Sequence, residues 1–422
     1  MPPMAAAVRM PWDAPVDDPV AALAEARASL GDTFVVDSGE DRYLFVFSPP
    51  GVAAFYALPE TVASKGVADW RMLRRKLPDE MFVGRRTLPN QLFGRDDVAA
   101  YVGNVSRALG TTVDELGAEG EVDAFVLSRR LGHRIGLASW GGPGSDGGDR
   151  FERLVVAFDA LDGADSFVRP DAMAAVASSG KSAEYAALDD ITGEFGSALG
   201  DLPCSETEHP LFARVAERWS DESVEKGRTG LALDLALIHI ASMSNLFAAL
   251  GWALIDLLAH PGMAALVRGG DRKLAETCAL ESTRLAQRSI MARYVLKPVS
   301  MEVGNSRHEL SPGVTVATLL PLTNTSAAPG LEAWDPDHWN GRRLADTSEL
   351  AAVELVTTFG HGRHTCPAQP FSLSAMTAAL TTLLAEFEMT PAWSGGASPV
   401  RTQIGGVARA ADPCPLRYRR RS

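Results

Sequence analysis

Apolar and polar positions follow two rhythms along this chain, and the change of rhythm marks its parts. Residues 33–47, TFVVDSGEDRYLFVF, place β-branched and aromatic residues on both sides of a Ser-Gly-Glu-Asp turn, which predicts two strands. PPGVAAFYALPE follows, with Pro at a helix start and apolar residues at helical spacing. A polar, basic stretch from Trp70 to Arg95 leads into DDVAAYVGNVSRALG, whose two aspartates suit a helix N-terminus. From about 97 to 260 helical spacing dominates, broken by GGPGSDGGD and by a polar stretch around 201–210. No internal repeat is visible.

The longest helical pattern runs from about 222 to 259. It opens with acids, ends at His260-Pro261 and would span about 55 Å at 1.5 Å per residue. Its middle is apolar nearly all round, which implies burial on several sides. Asp234, His239, Ser244 and Asn245 within it argue against a membrane span. A second helical pattern covers 271–289. Beyond it, residues 290–325 read as short strands and turns, and WDPDHWNGRRL reads as irregular. A loop, FGHGRHTCPAQPF, precedes a last helix, SLSAMTAALTTLLAEFEM, and the tail reads as a final hairpin. The fold class is therefore mainly α with a small β-rich part drawn from both ends of the chain, an α+β arrangement.

Composition narrows the function. At 422 residues the chain can bury a large core without staples, and its length, first suggestive of two or three domains, is also that of one large fold. A net charge of -13 argues against a nucleic-acid coat, and the terminal RYRRRS reads as a solvated end. The N-terminus lacks a basic start with an apolar run, so neither a secretory signal nor a membrane anchor is expected. A cytoplasmic, bacterial protein is the expectation. The four cysteines, Cys204, Cys278, Cys366 and Cys414, are scattered and suggest neither a disulfide framework nor a zinc module.

Cys366 is the cysteine with chemistry around it. It lies in a glycine-containing loop just before a helix, where backbone N–H groups and the helix terminus favour a thiolate. Such a thiolate is the protein half of a haem-thiolate site, with Phe359 over the sulfur and His364 near a haem propionate. A buried inert thiol and a cysteine-hydrolase nucleophile are the competing readings.

The loop FGHGRHTCPA resembles the cytochrome P-450 haem signature, F-x-x-G-x-H/R-x-C-x-G/A, at Phe359, Gly362, His364, Cys366 and Ala368. Glu281 and Arg284 resemble that family's E-x-x-R pair; alone this spacing means little, since Glu225 and Arg228 share it, but these two stand on a helix between the long helix and the cysteine loop. The resemblance covers essentially the whole chain. It implies one haem domain over residues 1–422, haem b (iron protoporphyrin IX) as cofactor, Cys366 as axial iron ligand and Arg293 on a haem propionate. It also implies a structural triad completed by Arg343, with Arg342 as the alternative.

In the same resemblance the long helix crosses the distal side of the haem, with Ala241 beside it. There the chain departs from the usual A/G-G-x-D/E-T: Ser244 replaces the acid and Asn245 the threonine. Ala241 to Trp252, with Cys366-Pro367 and Phe371, is similar to the cholesterol 7-alpha-hydroxylase and prostacyclin synthase group, which includes monooxygenases and a redox-neutral isomerase. The implied function is a monooxygenase of secondary metabolism acting on a small lipid-like or natural-product substrate. Ser244 and Asn245 would manage water and protons, and a ferredoxin with its reductase would supply electrons near Arg363 and the helix after Arg95. A redox-neutral or peroxide-dependent haem-thiolate enzyme and a non-catalytic haem sensor are the alternatives. Met243, Phe247 and Ile290–Ala292 are further candidates to face the substrate.

Overall fold

The computed structural model describes residues 2–86, 91–163, 170–202, 209–340, 343–344 and 346–422. Thr33–Ser38 and Asp41–Val46 form the expected antiparallel pair around Gly39, which turns at φ +59. The pair joins a five-stranded sheet whose other members come from late in the chain. Val314–Leu319 lies parallel to Asp41–Val46, Ile290–Val295 lies beyond it, and the two-residue strand Ala63–Ser64 closes the far edge. Phe34, Phe45 and Phe47 stack on the inner face, so aromatic burial fixes the register.

The helical part is organised by Val224–Leu258, 35 residues capped by the Ser223 hydroxyl. It packs against the helices Ala124–Trp140, Ser182–Asp201, Arg272–Ala286 and Gln369–Glu386. Close approach to the first of these depends on Gly132 and Gly136, where an added Cβ would lie 2.3 Å from Phe247 and 2.9 Å from His239. The long helix is apolar and long enough to cross a membrane by composition, yet 72% of its most apolar window is buried within the protein. Its polar residues are paired inside the fold: Asp234 accepts from Trp219 Nε1 at 2.9 Å, and His239 sits between Trp140 and His133.

Several elements differ from the sequence expectation. Lys65–Leu73 is a helix that takes in Trp70, and Leu320–Ser326 is a helix where strand and turn texture was expected. The last helix begins at Gln369, not Ser372. Glu119–Asp123 is a strand whose acidic, exposed sequence carries no apolar alternation. It pairs with Pro415–Arg420, which in turn pairs with Phe387–Pro391. The basic tail is thus the central strand of a three-stranded sheet, with its arginine side chains exposed to solvent as expected. Arg417, Arg419 and Arg420 face Glu121, Glu388 and Glu386 across it.

Candidate functional site

The cysteine loop is built by backbone geometry. Cys366 N–H donates to the Phe359 carbonyl at 2.7 Å, folding the segment into a closed loop. Gly360 turns at φ +82, and a Cβ there would lie 2.5 Å from the His364 carbonyl oxygen. Only glycine fits at that position. Gly362 also has positive φ, +58, but open space around it. The sulfur of Cys366 faces the N–H groups of Ala368 and Gln369, at the start of the helix Gln369–Glu386. Burial pushes the thiol above its usual range, and those N–H groups oppose the shift.

A buried hydrogen-bond chain holds the loop from behind. Glu281 and Arg284, both fully buried, bond through two contacts of 2.8 and 2.6 Å. Arg284 also donates to the Asn324 and Leu331 carbonyls, each at 2.7 Å. The Asn324 side chain accepts from Thr357 N–H at 2.8 Å and donates to the Thr357 carbonyl at 3.0 Å. The Thr357 hydroxyl then accepts from Gly360 N–H at 2.7 Å. Burial pushes the Glu281 carboxyl up, but Arg284, the Asp335 N–H and the Trp339 indole N–H hold it below the usual carboxylate range.

Arg343 does not complete this assembly. It is exposed on the two-residue strand Arg343–Leu344, and among the described residues Glu281 also meets Asp335 N–H, His338 Nδ1 and Trp339 Nε1 at 3.0, 3.0 and 2.8 Å. Arg342 lies outside the described residues, as does Cys204. Cys278 and Cys414 are buried, with thiols pushed up to about 12 and about 11 by burial.

Two adjoining cavities open above the sulfur. The inner lobe, about 460 Å³, is lined by Phe359, His364, Thr365, Cys366 and Met376 below and by Ala241 and Asn245 above. The outer lobe, about 430 Å³, shares Ala241, Asn245, Met291 and Val407 with it. Ala241 and Asn245 lie four residues apart and so share one helix face. Ser244, one position back, points elsewhere: it lines only the outer lobe, and its hydroxyl accepts from Arg409 at 3.3 Å. Ser244 therefore faces the outer lobe and Arg409, while Asn245 faces both lobes. Met243 and Phe247 are core residues rather than cavity walls, whereas Ile290, Met291 and Ala292 line the outer lobe.

The Asn245 carbonyl oxygen accepts from Val407 N–H at 2.9 Å, across 162 residues of sequence. The clasp settles the amide orientation: the oxygen is engaged, so the NH2 is the group left to the cavity. Gly406 makes the clasp possible, since a Cβ there would lie 2.6 Å from that oxygen and its φ is +63. Sequence reading missed this tail segment and Arg409 altogether. The Gly405-Gly406 pair was visible, but nothing local ties it to a helix so distant in sequence.

The inner lobe fits a haem. Arg293 is buried with its Nε unpartnered, and its guanidinium abuts His364 Nε2. The unpartnered Arg293 Nε–H, next to His364 on the wall of the inner lobe, is a charged donor suited to an anionic oxygen such as a propionate. The apolar walls and the single thiol suit a porphyrin, which itself supplies the other ligands to its iron.

No family model matches the chain. It is 29% identical to a cytochrome P450 monooxygenase (hepE) of Aspergillus oryzae over 161 residues, 34% of this chain and 26% of that relative. The match thus spans about a quarter of the relative's length. The crystal structure of CYP175A1 from Thermus thermophilus superposes with a TM-score of 0.65 at 20% identity, over 95% of each chain. The chain thus shares the fold of that cytochrome P450 structure, and one stretch of it is similar in sequence to a cytochrome P450 monooxygenase.

Proposed function

We propose that the chain is a haem-thiolate monooxygenase in which Cys366 is the axial ligand to haem b. The observation that carries the reading is the Cys366 sulfur, set against the Ala368 and Gln369 N–H groups and facing a cavity roofed by Ala241 and Asn245. Arg293 and His364 would hold a propionate, and Phe359 would pack beside the sulfur. Bound haem would supply an iron centre for dioxygen activation, with thiolate donation favouring O–O cleavage. The chain's own contribution is positioning: Ala241 leaves room above the ring, the Asn245 NH2 donates toward the inner lobe, and the apolar walls exclude water. Electrons would come from a separate ferredoxin and its reductase, with exposed Arg363 on the docking side.

The reduced, CO-bound protein is expected to show the red-shifted Soret band of thiolate ligation, lost in Cys366→Ser. An unshifted band in the parent protein defeats the proposal. Asn245→Asp keeps an oxygen for Val407 N–H but removes the NH2. It should lower product formed per NAD(P)H consumed, whereas unchanged coupling would remove Asn245 from oxygen handling. A second reading, peroxide-dependent or redox-neutral turnover, is favoured by one observation: Ser244 is turned to Arg409, which leaves no hydroxyl beside Asn245 in the long helix's inner face. Turnover with substrate alone, with peroxide, or only with the ferredoxin system separates the readings.

A further inference from the structure

The outer lobe is apolar over most of its wall, with Leu73, Met173, Leu237, Ile240 and Ile404 among its lining residues. At one pole stand Arg409, Asp162 and Ser244. The Arg409 guanidinium donates to Asp162 at 3.1 Å and to the Ser244 hydroxyl at 3.3 Å, and its side chain stays 20% exposed on the cavity side. Its backbone is braced: Arg409 N–H donates to Gln403 Oε1 at 2.7 Å, while Gln403 Nε2 donates to the Gly405 and Val407 carbonyls. A cation fixed from both its main chain and its side chain is pre-organised for recognition.

Charge balance defines what it recognises. Asp162 is 8% exposed and is shared by Arg409 and Arg129, and Arg129 also pairs with Asp159. Among the described residues, Lys65 and Asp69 are the other charged groups on this wall, and they pair with each other. Two arginines against two aspartates and one lysine against one aspartate leave the described residues of this wall without net charge. A carboxylate brought into this lobe would add an unbalanced buried charge, whereas a neutral acceptor would only accept a hydrogen bond.

We propose that Arg409 is a specificity-determining residue that binds a neutral oxygen acceptor, a carbonyl or hydroxyl, on an otherwise apolar substrate whose reacting end lies in the inner lobe. The proposal rests on the haem-thiolate reading for the position of that reacting end. Because the guanidinium is rigid and off to one side, the oxygen acts as a measuring point: its distance from the oxidised carbon is set by the span from Arg409 to the inner lobe.

The test uses the haem-loaded full chain and N-alkylimidazoles, whose ring nitrogen reports binding at the iron through a Soret shift without turnover. Tails of graded length end in methyl, hydroxyl, ketone or carboxylate. At one tail length the hydroxyl or ketone form should bind about fivefold tighter than the methyl form, the size of one hydrogen bond. That preference, read as the ratio of the two affinities within each variant, should fall below about twofold in Arg409→Lys, which keeps the charge opposite Asp162 but loses the fork, and in Arg409→Leu. An equal preference in both variants, no preference in the parent protein, or tightest binding of the carboxylate form overturns the proposal. Absence of a Soret shift with every probe instead overturns the haem-thiolate reading itself.

Discussion

Two buried polar assemblies flank the site, and they are made differently. Behind the cysteine loop, Glu281 and Arg284 sit three residues apart on one helix and reach mainly into backbone groups. Under the distal side, Trp140 donates to His239 Nδ1 at 3.1 Å, His239 Nε2 meets His133 Nδ1 at 2.9 Å, and His133 Nε2 meets Asp159 at 2.9 Å. An indole only donates, so the tautomers are fixed in series: His239 carries its proton on Nε2, and His133 donates to Asp159. Arg129 and Asp162 extend this assembly to Arg409 and the cavity. One assembly anchors main chain and shapes a rigid loop. The other joins side chains from three helices and the tail, and it ends at the outer lobe.

The largest expected effect breaks the first assembly. Glu281→Ala or Arg284→Ala leaves a charge fully buried without its partner, at a cost of about 3–5 kcal/mol. Urea unfolding should show it, together with loss of haem incorporation. Next come two glycines that compare the regions directly. Gly360→Ala meets a backbone oxygen that cannot retreat and should cost about 3 kcal/mol. Gly406→Ala meets the Asn245 side chain and should cost about 1–2 kcal/mol in the same unfolding assay, while weakening binding in the outer lobe more than it weakens haem retention.

The two assemblies should also fail at different pH. Burial, outweighing Asp159, holds His133 below the ordinary histidine range; burial, with His133 and Arg129, holds His239 well below it. Their contribution is present above the unfolded value near 6.5 and is lost as pH falls below it, at up to about 1.4 kcal/mol per pH unit for each ring. Glu281 is also depressed, so its contribution is lost only as pH falls below the unfolded glutamate value of about 4.3 and through its folded value. Unfolding midpoints measured from pH 7.5 down to about 2 should decline in two stages, the first flattened in a His133→Phe/His239→Phe variant. The smallest effect belongs to Arg343→Ala, which should stay within about 0.5 kcal/mol because that side chain is exposed and away from Glu281.

The same contrast explains what could be read from the chain. Cys366, its glycines and the Glu281–Arg284 pair are local patterns whose chemistry follows from near neighbours in sequence. The long helix was legible from its apolar length and its ends. Arg409, Val407 and Asp162 were not, because each acquires meaning from a partner brought over by the fold, and an isolated arginine near the tail resembles any solvated charge. The strand Glu119–Asp123 escaped for a related reason: its acidic side chains make sense only against Arg417 and Arg419. Trp339 and His338 meet Glu281 while Arg343 is exposed, a placement that no spacing rule encodes.

The Asn245 clasp has a consequence in time. Its two halves are made 162 residues apart, so at about 5–20 residues per second Asn245 waits roughly 8–32 s on the ribosome before Val407 appears. During that interval the distal helix has no tail beside it, and its cavity face is open to solvent and chaperones. The cysteine loop, at Phe359–Cys366, emerges only shortly before the tail that closes the other side. The cysteine loop and the Val407 segment, which line the same pocket, are thereby made within seconds of each other, at about 5–20 residues per second.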